Sequence, residues 1–151
     1  MFANESADPE DSLSQSLRVQ SRASDEGFDW GHIDGVFEKV DEEVGEIRAA
    51  LEAGDYPHAR RELGDLLLVT VNLARFLQAD PREELDRATR RFECRYEQLK
   101  IALAAEGKSA KTCAPDELEA CWQRIKPVAD KLLKKGLDMH RGDGANSSSN
   151  L

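Results

Sequence analysis

The chain has 151 residues, the size of one ordinary domain, with 40% hydrophobic and 34% charged residues. Its 21 Lys and Arg stand against 30 Asp and Glu, a formal charge of -9 that argues against an extended contact with a nucleic-acid backbone. The longest nearly apolar run, Leu66 to Val71, falls far short of the ~20 residues a membrane span requires, and Met1 to Ser12 lacks the charged-then-apolar pattern of a signal peptide.

In chain order, residues 1–12 read as a flexible polar segment. Leu13, Leu17 and Gln20 to Ala23 predict a short, weakly amphipathic helix, which gives way to a turn at Gly27 and Asp29-Trp30-Gly31. From His32 to Ala53 the apolar residues Ile33, Val36, Val40, Val44, Ile47 and Leu51 make a helical stripe. Gly54-Asp55 and Pro57 mark the next turn. A second long helix spans about His58 to Leu77, and its middle is apolar almost all round, which predicts a central position in a bundle. Asp80-Pro81 followed by Glu83 and Glu84 reads as an N-cap, a first-position proline and an acidic first turn, opening a helix to about Ala105. Pro115 begins a last helix through Leu118, Trp122 and Ile125, with a perturbation expected at Pro127. The glycine- and serine-rich residues 136–151 predict a disordered polar tail. The fold class is therefore all-α, a bundle of about five helices, with one domain over residues 13–135. Cys94, Cys113 and Cys121 form neither CxxC pairs nor an even set, so reduced thiols in a cytoplasmic protein are expected.

Charged residues on a helix normally face water, so acids on an apolar face stand out. At ~100° per residue, Glu43 falls about 20° from Val36, and Glu46 flanks the same stripe one turn on. On the second long helix Glu62 shares a face with Leu66, Val69 and Leu73, while Asp65 lies beside Val69 and Phe76, with Asn72 two turns further along. Burying such carboxylates unpaired costs several kcal/mol, so either their pKa values rise or cations compensate them. Glu43-x-x-Glu46 and Glu62-x-x-Asp65 on two antiparallel helices would present four hard oxygen ligands to one cavity, the set preferred by Mg²⁺ or Mn²⁺. No Glu-x-x-His accompanies them, which weakens a di-iron site. The alternative is plain salt bridging to Lys39, Arg48, Arg60 or Arg61.

Positive charge is organised as well. Arg91 and Arg95 are four apart beside Phe92 and Leu99, and Trp122 and Lys126 are four apart on the last helix. Guanidinium forks match phosphate oxygens, and an indole either stacks on a base or packs in a core. Together these residues suggest a nucleoside polyphosphate.

The stretch Gly27-Phe28-Asp29-Trp30, then Lys39-Val40-Asp41-Glu42-Glu43-Val44-Gly45-Glu46, then Glu62-Leu63-Gly64-Asp65-Leu66-Leu67 to Val71-Asn72-Leu73-Ala74-Arg75-Phe76-Leu77, resembles the MazG family of all-α nucleoside triphosphate pyrophosphohydrolases. The likeness covers roughly Leu13 to Lys131 and is greatest to the C-terminal, catalytic half of two-domain members, whose N-terminal domain has no counterpart here. It implies hydrolysis of an NTP or dNTP to the monophosphate and pyrophosphate with Mg²⁺, for which Mn²⁺ is a possible substitute. It also implies Glu43, Glu46, Glu62 and Asp65 as metal ligands between the two long helices. Glu42 would be an additional catalytic acid, and Arg91, Arg95, Trp122 and Lys126 substrate contacts. Water attack at the α-phosphorus would be assisted by Glu42 or Glu46, and the cations would stabilise the leaving pyrophosphate. A homodimer, or else a dimer of dimers, is implied too. Thr89 stands where the family carries a polar amide, Arg91 where it carries a lysine, and Cys94 where a second arginine is common. Three roles remain open: a broad house-cleaning enzyme, a narrow dUTP or dCTP pyrophosphatase, and a non-catalytic nucleotide-binding helical dimer. Trp122, Phe28, Trp30 and Thr89 are the candidates for the base pocket.

Overall fold

The structure is a computed structural model that describes residues 10–142, with side chains described through residue 135. The described residues form five helices and no strand: α1 (Ser12–Asp25), α2 (Ile33–Glu52), α3 (Tyr56–Phe76), α4 (Pro81–Ala105) and α5 (Pro115–Gly142). The all-α expectation holds, and so do the order and approximate limits of the helices. Helix α5 contains Pro127 and continues to Gly142; residues 1–9 and 143–151, where most of the flexible segment and of the polar tail are expected, lie outside the described residues.

Local signals account for the helix ends. Asp11 caps α1 by accepting from the amides of Leu13 and Ser14, each at 3.1 Å. Asp55 caps α3 through the His58 amide at 3.0 Å, with Pro57 in the first turn. Asp80 caps α4 through the Arg82 amide at 2.8 Å, as its sequence predicts. At the C-terminal end of α2, Gly54 takes φ +72°, and the Asp55 amide reaches back to the Ala50 carbonyl at 2.8 Å. Helix α3 closes in the same way, with the Ala79 amide on the Ala74 carbonyl at 2.9 Å, but the left-handed position there is Gln78, at φ +54°.

The chain divides into two compact units, the first ending at Leu85 and the second starting at Asp86. In the first, α2 and α3 form an antiparallel hairpin joined by a short turn, and α1 lies against α3. Its buried residues are Val36, Ala50, Ala59, Val69 and Val71, together with two polar ones, Glu43 and Asn72. The central position predicted for α3 holds within the first unit, though its cover is incomplete. One side of α3 meets α2 and another meets α1, but Leu63 and Leu67 stand about half exposed. The helix is apolar all round because it carries more apolar surface than its neighbours in this chain cover. In the second unit, Leu99 and Leu103 of α4 pack with Cys121 and Ile125 of α5, flanked by Leu118, Cys113 and Trp122.

Candidate functional site

The α2–α3 hairpin brings the acids of both helices to one cavity of about 390 Å³, lined by Lys39, Glu42, Glu43, Glu46, Glu62, Asp65 and Leu68. The i,i+3 spacing directs each pair to one face, and the antiparallel packing turns the two faces toward each other. Glu43, Glu62 and Asp65 each offer a carboxylate oxygen, all within 4.8 Å of one another. Glu43, predicted at the edge of the buried face, is only 2% exposed.

Compensation for this charge is partial. Lys39, one turn before Glu43, places Nζ 2.6 Å from Glu43 Oε1 and 3.0 Å from Glu42 Oε1. Those hydrogen bonds, first to Glu43 and then to Glu42, push the Lys39 ammonium up and keep it charged. His58 Nε2 lies 2.8 Å from Glu62 Oε1. Glu46 takes a different position from the other three predicted ligands. It stands outside the close cluster, and a hydrogen bond shared with Glu62, then desolvation and repulsion from the neighbouring acids, raise its carboxyl above the ordinary range. Glu43 Oε2 is buried and has no hydrogen-bond partner among the described residues.

That unpartnered oxygen tests whether a divalent cation fits. A buried carboxylate oxygen without a donor is costly, and nearby acids of like charge raise the cost. In an octahedral Mg²⁺ shell adjacent oxygens stand about 2.9 Å apart and opposed ones about 4.1 Å, so three oxygens within 4.8 Å of one another close on one ion through side-chain adjustment alone. The hard-oxygen donor set and its geometry both suit such an ion.

The predicted substrate contacts all belong to the second unit. Arg95 forks onto Asp130, with Nε and Nη2 donating to Oδ1 at 3.1 and 3.0 Å and Nη2 also reaching Oδ2 at 3.1 Å. Lys126 Nζ donates to Gln123 Oε1 at 2.9 Å, and Arg91 is exposed. Trp122 packs against Phe92 with ring centroids 5.6 Å apart and joins the Leu99 cluster. Cys94 is half-buried, its Sγ 3.6 Å from the Ala129 carbonyl, so it serves α4–α5 packing. All three cysteines are free thiols, as expected.

A second cavity of the first unit, about 490 Å³, lies between α1, the Phe28–Trp30 turn and α3. Leu68 lines both cavities. One polar chain crosses its wall. Arg75 donates from Nε to Asn72 Oδ1 at 2.8 Å, from Nη1 to Ser24 Oγ at 3.2 Å, and from Nη2 to Asp29 Oδ1. Ser24 Oγ also donates to Asp29 Oδ2 at 2.7 Å. Arg75, and then Ser24, hold the Asp29 carboxyl below its usual range. Helical spacing placed Asn72 on the acidic strip but gave no sign of Arg75 and Asp29, whose pairing spans 46 residues.

Comparison with known proteins bears on this geometry. Residues 34–98 match the MazG nucleotide pyrophosphohydrolase domain. That segment contains all five acids of the first cavity together with Asn72, Arg75, Arg91 and Arg95. A Thermotoga maritima protein named nucleoside triphosphate pyrophosphohydrolase/pyrophosphatase MazG is 38% identical over 114 residues, which is 76% of this chain and 44% of that protein. An Escherichia coli K12 nucleoside triphosphate pyrophosphohydrolase is 34% identical over 116 residues, again 76% of this chain and 44% of the relative. The chain thus spans less than half the length of the curated relatives it matches. Among the described residues no helix is long and apolar enough to cross a membrane.

Proposed function

We propose that this chain hydrolyses nucleoside or deoxynucleoside triphosphates to the monophosphate and pyrophosphate, as a house-cleaning enzyme of the nucleotide pool. The observation that carries this reading is the convergence of Glu43, Glu62 and Asp65 oxygens within 4.8 Å of one another, on a hairpin that also buries a Glu43 oxygen without a partner. The names of the matched relatives and the domain match support it. Glu43, Glu62 and Asp65 would hold Mg²⁺, with Glu46 completing the set from beside Glu62. When bound, the cation supplies charge neutralisation for the phosphates and activation of the attacking water.

The remaining steps fall to the chain itself. Glu42, exposed at the cavity edge, and Glu46 are the acids available to orient the water in line with the α-phosphorus. Lys39 pairs with Glu43 and limits the net negative charge that an anionic substrate meets. Arg91, Arg95, Trp122 and Lys126 are proposed as substrate contacts on the family resemblance, the cations countering charge on the departing pyrophosphate. The exposed apolar face of α3, with Leu63 and Leu67, supports a homodimer.

Pyrophosphate and monophosphate release from a panel of NTPs and dNTPs, with Mg²⁺ and with EDTA, tests the reaction. Metal-dependent formation of both products is expected, as is its loss in Glu43→Gln. A folded protein that turns over none of the panel would leave nucleotide binding without catalysis.

A further inference from the structure

The cavity beside the acidic site has the wrong chemistry for phosphate. Its one cation, Arg75, is neutralised by Asp29 and has a donor on each of three side chains. What it offers is a volume of about 490 Å³, within the ~300–1,000 Å³ typical of small-ligand sites, and two outward-facing aromatic rings. Phe28 is 84% exposed and Trp30 40%, an unfavourable placement unless a flat apolar partner covers them. Trp30 is also seated deliberately. A Cβ on Gly35 would lie 2.6 Å from Trp30 Cδ1, so a glycine in the first turn of α2 keeps the indole against the helix.

The polar edge of this cavity is equally specific. Asn72 is 1% exposed, and its Nδ2 has no hydrogen-bond partner among the described residues. Its orientation is set by chemistry. Arg75 Nε is a donor only, so the oxygen of the amide must face it and the NH₂ must face away. An unsatisfied buried donor of this kind discriminates strongly for a ligand that brings an acceptor. Because Leu68 borders both cavities, one ligand can lay its anionic end among the acids and its neutral planar end here.

We propose, resting on the triphosphate-hydrolase reading above, that the cavity formed by Val19, Phe28, Trp30, Leu68, Asn72 and Arg75 is the nucleobase subsite, in which Asn72 Nδ2 donates to an exocyclic carbonyl oxygen of the base. Bases carrying such an oxygen are favoured. Adenine, which has an exocyclic amine and no carbonyl, is disfavoured because two donors would face each other.

The matched pair of inosine monophosphate and adenosine monophosphate tests this by calorimetric titration of the full chain in EDTA, a readout independent of turnover. Inosine monophosphate should bind wild type about tenfold more tightly or better. Asn72→Ala should collapse that ratio toward one. Asn72→Asp, which keeps the size but replaces the donor with an acceptor, should invert it. Circular dichroism and melting establish that each variant is folded; should Asn72→Ala unfold, Asn72→Asp decides alone. A wild-type ratio near one, or one unchanged in a folded Asn72→Asp, overturns the proposal. If that happens while Mg²⁺-dependent turnover is intact, the hydrolase reading stands and the base sits elsewhere. An Asn72-dependent preference without turnover leaves the subsite and removes the catalysis.

Discussion

Asp65→Asn separates function from stability in a way few substitutions do. Asp65 is exposed but has Glu43 and Glu62 oxygens within 4.8 Å. At that distance two unit charges repel by about 0.9 kcal/mol in the dielectric of bulk water and by about 3.5 kcal/mol at an effective dielectric of 20. Exposure places Asp65 near the lower figure, so removing its charge relieves roughly 2 kcal/mol from the two neighbours together. For a chain of this size that is a rise in Tm of about 4–8 °C in EDTA. The amide keeps the shape of the carboxylate but is a poor ligand for Mg²⁺. Wild type should therefore gain about 2.7 kcal/mol at Mg²⁺ a hundredfold above its Kd, whereas the variant gains almost nothing and loses turnover. The assay is a pair of thermal melts, with EDTA and with Mg²⁺, alongside pyrophosphate release. A variant that melts below wild type in EDTA, or one that keeps the Mg²⁺ shift, would refute the reasoning.

Three other outcomes are expected. Asp29 has its carboxyl held low by Arg75 and Ser24, so its stabilising effect is present above the unfolded value near pH 4 and vanishes as pH falls through the lower folded value. Asp29→Asn should thus destabilise at pH 7, with the gap to wild type closing below about pH 4 in denaturant titrations; a gap independent of pH would contradict the ion pair. Gln78→Gly should stabilise by about 1 kcal/mol because glycine adopts the left-handed end of α3 without strain, and urea melts that show no gain would count against it. Leu67→Glu places a charge on the exposed face of α3 and should convert a dimer to a monomer by sedimentation equilibrium; an unchanged mass would move the interface elsewhere.

The helices were legible because their signals are local. Asp55 and Pro57 start α3, Asp80 and Pro81 start α4, and Gly54 ends α2, all within a few residues of the turns they make. Pro127 lies inside α5, which continues on either side of it. The apolar middle of α3 rightly marked a helix packed on two others, but not which side stays open. Periodicity reports how much apolar surface a helix carries, not which part of it finds a neighbour within the same chain. Leu63 and Leu67 are apolar and exposed for that reason.

The acids show where such reasoning stops. Spacing alone put Glu43 on the buried face and brought Glu62 and Asp65 to the same side of α3, and folding places all three together. Spacing could not rank the four acids, so Glu46 counted as an equal ligand although it shares a hydrogen bond with Glu62 outside the cluster. Lys39 entered only as one of several ordinary salt-bridge partners. In the folded chain it lies on an acid that is buried, where a pairing at 2.6 Å counts for more than one on an open surface. Asn72 shows the same limit more sharply. Its place on the strip is periodic, but its significance arises from Arg75 holding its oxygen and leaving its nitrogen unpartnered. Helix α3 thus carries two chemistries, with Glu62 and Asp65 lining one cavity, Asn72 lining the next, and Leu68 bordering both. A ligand anionic at one end and flat and uncharged at the other, the occupant proposed above, would use both, whereas an ion or a base alone would use one.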